Sequence, residues 1–128
     1  MIKEAAADID FSGRALLLIE NVGNLVCPSE FDLGEEIKMV IASVPEGHDK
    51  PYKYTSMFEA ADVIVLNKID ILPYIDFDRA FFLKGIKALN AKAPVFEVSC
   101  TTGQGIPAFI EWLREKTVYP DISKKPRD

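Results

Sequence analysis

The chain has 128 residues, 48% of them hydrophobic and 27% charged, which suits one domain able to bury a sizeable core. A net charge of −5 with no internal basic stripe argues against a nucleic-acid or anionic-membrane surface, the one basic cluster being Lys124-Lys125-Pro126-Arg127 in the tail. No apolar run approaches the roughly 20 residues that span a bilayer, Met1-Ile2-Lys3-Glu4-Ala5 lacks a signal-peptide core, and the two cysteines read as free thiols, so a cytoplasmic location is expected.

Residues 2–8 read as the last turns of a helix, broken at Ser12-Gly13. Ala15-Leu16-Leu17-Leu18-Ile19-Glu20 is then a near-continuous apolar run, the pattern of a parallel strand covered on both faces. Residues 21–36 are loop-like. A second buried strand is expected at residues 37–43, followed by a polar loop from Val44 to Tyr54 with two prolines and the lone His48. A lone loop histidine is usually solvated, and His48 reads so. A short helix at 56–61 leads into a third strand at 62–66. Pro73 and Asp76-Phe77-Asp78 precede a helix over residues 78–90, whose Phe82, Ile86 and Leu89 recur at helical spacing. A fourth strand is expected at 94–99. Gly105-Ile106-Pro107 opens a last helix, with Pro in the first turn and Phe109, Ile110 and Leu113 toward the sheet. The alternation of apolar strands with helices gives an α/β parallel sheet. Residues 1–119 form the folded part in this reading and 120–128 a flexible tail.

Ligands of open α/β sheets bind at the carboxyl ends of the strands. Past the third strand stands Asn67-Lys68-Ile69-Asp70. An Asn-Lys-x-Asp tetrad in that position is a guanine-recognition signal. A carboxylate there can accept both N–H groups of the guanine N1/N2 edge, and the flat purine can lie along the lysine stem. Adenine lacks that donor pair, so it would leave the carboxylate unpaired. Past the first strand, Glu20-Asn21-Val22-Gly23 places an acid three residues before a glycine. The acid suits a magnesium-bound water, and the glycine lets backbone approach a terminal phosphate. Past the fourth strand, Ser99-Cys100-Thr101 occupies the place of a base-contacting turn, with Cys100 in a small-residue slot. Cys27, before Pro28, can serve as a thiolate ligand, although one cysteine builds no metal site and a half-buried thiol is the commoner fate. Gly103-x-Gly105-x-x-Ala108 reads as a turn that opens a helix, because no strand with a ribose-binding acid follows it. No Gly-x-x-x-x-Gly-Lys-Ser/Thr phosphate loop occurs in the 128 residues.

Together the tetrad, the Glu-x-x-Gly loop and the run Asn21-Val22-Gly23-Asn24-Leu25-Val26-Cys27-Pro28 resemble the HypB family, the nickel-incorporation GTPases of NiFe-hydrogenase maturation. Asp49-Lys50-Pro51, Tyr54, Met57-Phe58, Leu72-Pro73-Tyr74 and Phe77-Asp78 continue the likeness across residues 2–117. Related GTPases for urease share the tetrad but not the Cys-Pro loop.

The resemblance is to the C-terminal half of the family's P-loop GTPase domain only. It implies an incomplete parallel three-layer domain, with the phosphate-loop strand missing between the first and second strands read here. It implies guanine recognition by Asn67, Lys68 and Asp70, with Ser99, Cys100 and Thr101 in the base turn. Glu20 and Gly23 would belong to the magnesium and γ-phosphate switch, and Cys27 would be a nickel or zinc ligand shared across a dimer. The implied partners are a second copy or a P-loop-bearing half, other hydrogenase maturation proteins, and the hydrogenase large-subunit precursor. Phosphoryl transfer relies on the P-loop lysine and its Ser/Thr, so no appreciable GTP hydrolysis is expected from this polypeptide alone. The alternative is a non-catalytic binding or dimerisation module derived from a GTPase.

Overall fold

A computed structural model describes Asp8, residues 16–20 and residues 35–117. Its centre is a parallel three-stranded sheet in the order β1 (Met39–Ser43), β2 (Val63–Asn67), β3 (Val95–Glu97). The register pairs Ile41 with Val65 and Val65 with Phe96. Strand β2 lies in the middle because Val63 to Leu66 are apolar without interruption, and all four side chains are buried.

One face of the sheet is the main core. Val40, Ala42, Ile64 and Leu66 meet Phe58 of α2 (Thr55–Ala60) and Phe82 and Ile86 of α3 (Arg79–Leu89). The Phe58 and Phe82 rings stand edge to face with centroids 6.4 Å apart. Complete burial of a ring such as Phe82 contributes roughly 1.5–3 kcal/mol. On the other face, α4 (Ile106–Thr117) packs Phe109 and Trp112 against Phe96. No residue of α4 is fully buried, and Ile110 is exposed. The expectation that Ile110 faces the sheet is therefore corrected: Trp112 fills that place.

Helix α3 starts and stops where its ends find partners. Asp78 caps it, its Oδ1 accepting from Phe81 N at 2.9 Å. At the other end Asn90 Nδ2 donates to the Phe58 and Ala61 carbonyls, which ties α3 to the end of α2. Between them, Gly85 leaves room for the Tyr52 ring; a Cβ would sit 2.6 Å from it.

Two other expectations change. Residues 16–20 form no strand, and Leu16, Leu17, Leu18 and Ile19 are exposed. An apolar run becomes a buried strand only beside a neighbour that satisfies its backbone, and none of the described strands pairs with this one. The polar loop after β1 holds a 3-10 turn (Val44–Glu46) and a short helix α1 (Lys50–Lys53) with Pro51 in its first turn. The second half of the tetrad opens a 3-10 helix (Ile69–Tyr74) with Pro73 inside it. The boundary between domain and tail at residue 119 falls outside the described residues. Among the described residues no helix is long and apolar enough to cross a membrane.

Candidate functional site

The last residue of β2 is Asn67, and the chain turns sharply there. Lys68 adopts the left-handed conformation with φ 64° and ψ 35°, the one non-glycine residue with positive φ among the described residues. For a residue with a Cβ this costs on the order of 1 kcal/mol. The turn is held by the Asn67 side chain, whose Oδ1 accepts from Lys68 N at 2.8 Å. The same oxygen accepts from Cys100 N at 3.3 Å. With its oxygen committed to two backbone donors, the Asn67 amide keeps its NH2 as a donor for an incoming acceptor.

Asp70 sits in the first turn of the 3-10 helix, half-buried. Its Oδ1 accepts a 2.8 Å hydrogen bond from the hydroxyl of Ser99, a residue with no exposed surface. Ser99 Oγ in turn accepts from Thr102 N at 3.1 Å. Ionised, a carboxylate offers about four lone-pair sites. One hydroxyl therefore leaves Asp70 capacity for two further N–H donors.

Backbone bonds join the two loops: Ile69 N donates to Val98 O at 3.2 Å, and Ser99 N donates to Gln104 O at 2.9 Å. The 99–105 turn closes through Gly103 N to Ser99 O at 2.8 Å and two glycines at positive φ, Gly103 and Gly105. A Cβ on Gly105 would overlap the Glu97 carbonyl, so only glycine lets α4 begin this close to β3. Outside the loops, Arg79 donates through Nε and Nη2 to the Glu97 carboxylate, and that pairing raises the guanidinium pKa.

The structure thus brings Asn67, Asp70, Ser99 and Cys100 into one constellation. Thr101 is exposed on the same turn, and Cys100 is a free, exposed thiol. Glu20 is exposed at the end of the 16–20 segment, with no described contact to the constellation. Gly23 and Cys27 lie outside the described residues. Among the described residues no cluster of three or more His, Cys, Asp or Glu side chains could hold a metal ion. Thr102 and Gln104 escaped the sequence reading. Their bonds to Ser99 run through backbone N–H and C=O, which residue type does not announce; the paired glycines at 103 and 105 were the available signal.

His48 is not the solvated side chain that the sequence suggested. It is half-buried, its Nδ1 accepts from Asp78 N at 3.0 Å, and its ring stands edge-on to Phe77 and Phe81.

Residues 4–97 match the CobW/HypB/UreG nucleotide-binding domain. The chain belongs to that family. Among curated members, the hydrogenase maturation factor HypB of Rhizobium leguminosarum bv. viciae is 48% identical over 125 residues, 98% of this chain and 42% of that protein. The crystal structure of HypB from Archaeoglobus fulgidus aligns with a TM-score of 0.70 at 39% identity, over 73% of this chain and 50% of that one. HypB from Helicobacter pylori, solved in complex with nickel, gives 0.71 at 38%, over 75% and 45%. The resemblance drawn from the motifs and the α/β parallel-sheet class therefore hold. The chain spans less than half the length of the first curated CobW/HypB/UreG relatives that it matches.

Proposed function

We propose that this chain is the guanine-recognition part of a hydrogenase maturation GTPase that handles nickel. One observation carries the reading: Asp70, held by the buried Ser99 hydroxyl, stands beside an Asn67 amide whose oxygen is already occupied. In the proposed complex Asp70 accepts the guanine N1 and N2 protons, Asn67 donates to the purine N7, and Lys68 lies along the ring. The turn of Ser99, Cys100 and Thr101 closes over the base edge. Glu20 and Gly23 serve magnesium and the γ-phosphate, and Cys27 serves nickel or zinc. The relatives' name, hydrogenase maturation factor, and the nickel complex of one neighbour support the assignment. A hydrogenase large-subunit precursor, other maturation proteins and a cytoplasmic location follow from it.

Hydrolysis needs a phosphate loop, which these 128 residues do not contain. The proposed supplier is a P-loop-bearing half, with a second copy of the assembly completing the metal site. Among the described residues no strand lies beyond β1, and that edge suits such a partner. Lys38 O accepts from Asp62 and Val63, so main-chain groups turned toward β2 alternate with those of Met39, Ile41 and Ser43 turned away from it. Ile41, at mid-strand, has 60% of its surface exposed.

Calorimetry of the chain with GDP and with ADP tests the base assignment. Selective GDP binding, even at weak affinity, is the expected result; equal or absent binding overturns it. A second reading, a non-catalytic module that binds a protein through the same surface, draws on the exposed Leu16–Ile19 run and Ile41. It predicts partner binding without any preference for GDP.

A further inference from the structure

The chain's single histidine has a hydrogen-bonding role that its neutral form alone can fill. His48 Nδ1 accepts from the backbone N–H of Asp78, so its lone pair must be free and the ring proton must sit on Nε2. The ring is fixed from two sides by Phe77, 5.8 Å between centroids, and Phe81, 5.5 Å, both edge-on. Phe81 is itself stacked on Tyr52 at 4.1 Å, and the Tyr52 hydroxyl donates to the Phe81 carbonyl at 2.7 Å. The bonded residue also matters. Asp78 caps α3, its carboxylate and carbonyl receiving Phe81 N and Phe82 N. It also ends the segment that begins at Asp70.

We propose that His48 is an acid-released clasp: unprotonated, it ties the loop after β1 to the junction between the Asp70-bearing segment and α3, and protonation lets that junction go. A proton taken up on Nδ1 sets one N–H donor against another, and the bond to Asp78 cannot survive. Histidines change charge between about pH 5 and 8. Because the proton favours the open arrangement, the clasp holds while the imidazole is neutral and is lost as acid protonates it.

The charged groups on the packed segments leave this sign in place. On the loop and α1 these are Glu46, Asp49, Lys50 and Lys53, with Asp49 paired to Lys53. On the 3-10 helix Asp70 is bound by Ser99. Leading into α3 are Asp76, Asp78 and Arg79, with Arg79 paired to Glu97 and Asp78 Oδ1 engaged by Phe81 N. The Asp78 carboxylate is the group that could hold a protonated imidazole, and it would do so by drawing Oδ1 away from Phe81 N, which undoes the cap of α3 as the bond to Asp78 N is lost.

Nitrogen-resolved NMR of the full chain tests the clasp without any nucleotide. The expected state at about pH 7.5 is the Nε2–H tautomer. On acidification the Asp78 amide signal should move with the imidazole titration. The protection factors of Phe81 and Phe82, corrected for intrinsic exchange, should fall at least roughly tenfold by about pH 5. His48→Asn keeps an acceptor near the Nδ1 position and cannot titrate, so its protection should stay level across the range. His48→Phe keeps the ring packing without the acceptor and should be unprotected at both ends. An imidazole that titrates while the Asp78 amide stays still, an Nδ1–H tautomer at neutral pH, or an Asn variant that opens in acid like the parent would each overturn the proposal.

Discussion

Ser99 and Asp70 lie 29 residues apart in sequence, and the hydroxyl of one holds the carboxylate of the other at 2.8 Å. Ser99 is completely buried, while Asp70 is only half so. The serine therefore acts as a fixed post against which a partly solvated acid is aimed. Ser99→Ala removes the post and strands Thr102 N, which donates to the same oxygen. Losing that part-buried backbone bond together with the bond to the charged carboxylate costs about 1–3 kcal/mol. Chemical denaturation should register that loss, and GDP affinity should fall roughly tenfold with it. A Ser99→Ala protein with unchanged stability would show that the 99–105 turn carries its own geometry.

Asp70→Asn is the sharper test of base choice. Removing the charge leaves the fold intact, because an amide oxygen can still accept from Ser99. The exposed side of the new amide donates where the acid accepted. Xanthine presents a carbonyl where guanine presents an amino group, so preference should move from GDP to XDP. Mismatched donors in such sites cost a factor of ten or more, on the order of 1.4 kcal/mol. Competition between the two nucleotides reads the switch directly, and an unmoved ratio would remove Asp70 from the base site.

Much of this architecture was legible before folding, and the reason differs from element to element. Strand β2 was plain because four consecutive apolar residues need cover on both faces, and the tetrad gained meaning by standing at its end. Helix α3 announced itself by the spacing of Phe82, Ile86 and Leu89, and Asp78 marked its start. The run at 16–20 carried the same signal as β2, yet it is exposed, because a strand is defined by a neighbour and not by its own composition. The short helices within 44–54 were hidden, since four residues carry no periodicity. His48 was misread because its partner is a backbone N–H 30 residues away. The Ser99 post was misjudged only in degree: the turn was expected, but the burial that makes it rigid was not.

Gly103 and Gly105 form a natural control pair. Both have positive φ, 83° and 76°, so alanine is strained at either by about 1–2 kcal/mol. A Cβ at Gly103 meets nothing, whereas one at Gly105 runs into the Glu97 carbonyl. Gly105→Ala must therefore push α4 away from β3, loosening Phe109 and Trp112 on Phe96 as well. The expected order is a modest loss for Gly103→Ala and a loss larger by at least about 2 kcal/mol for Gly105→Ala. Equal midpoints in urea for the two variants would mean that α4 does not sit as close to β3 as the turn requires.

The ion pair at the head of α1 sets a pH dependence of opposite cause to the His48 clasp. Lys53 Nζ lies 2.8 Å from Asp49 Oδ2, one helical turn away. That hydrogen bond holds the Asp49 carboxyl below the usual carboxylate range, and Asp49 raises the Lys53 ammonium in return. An acid depressed in the folded state stabilises it above the unfolded pKa, and the contribution disappears as pH falls through the folded one. Both side chains are exposed, so the effect is small and salt-sensitive. Asp49→Asn should therefore melt below the parent at neutral pH and low salt. The gap should close once acid takes the protein below the parent's depressed carboxyl pKa, where that group is also neutral, and it should shrink in about 1 M salt. A gap that persists unchanged in acid would assign the Asp49 effect to packing of the loop instead of to its charge.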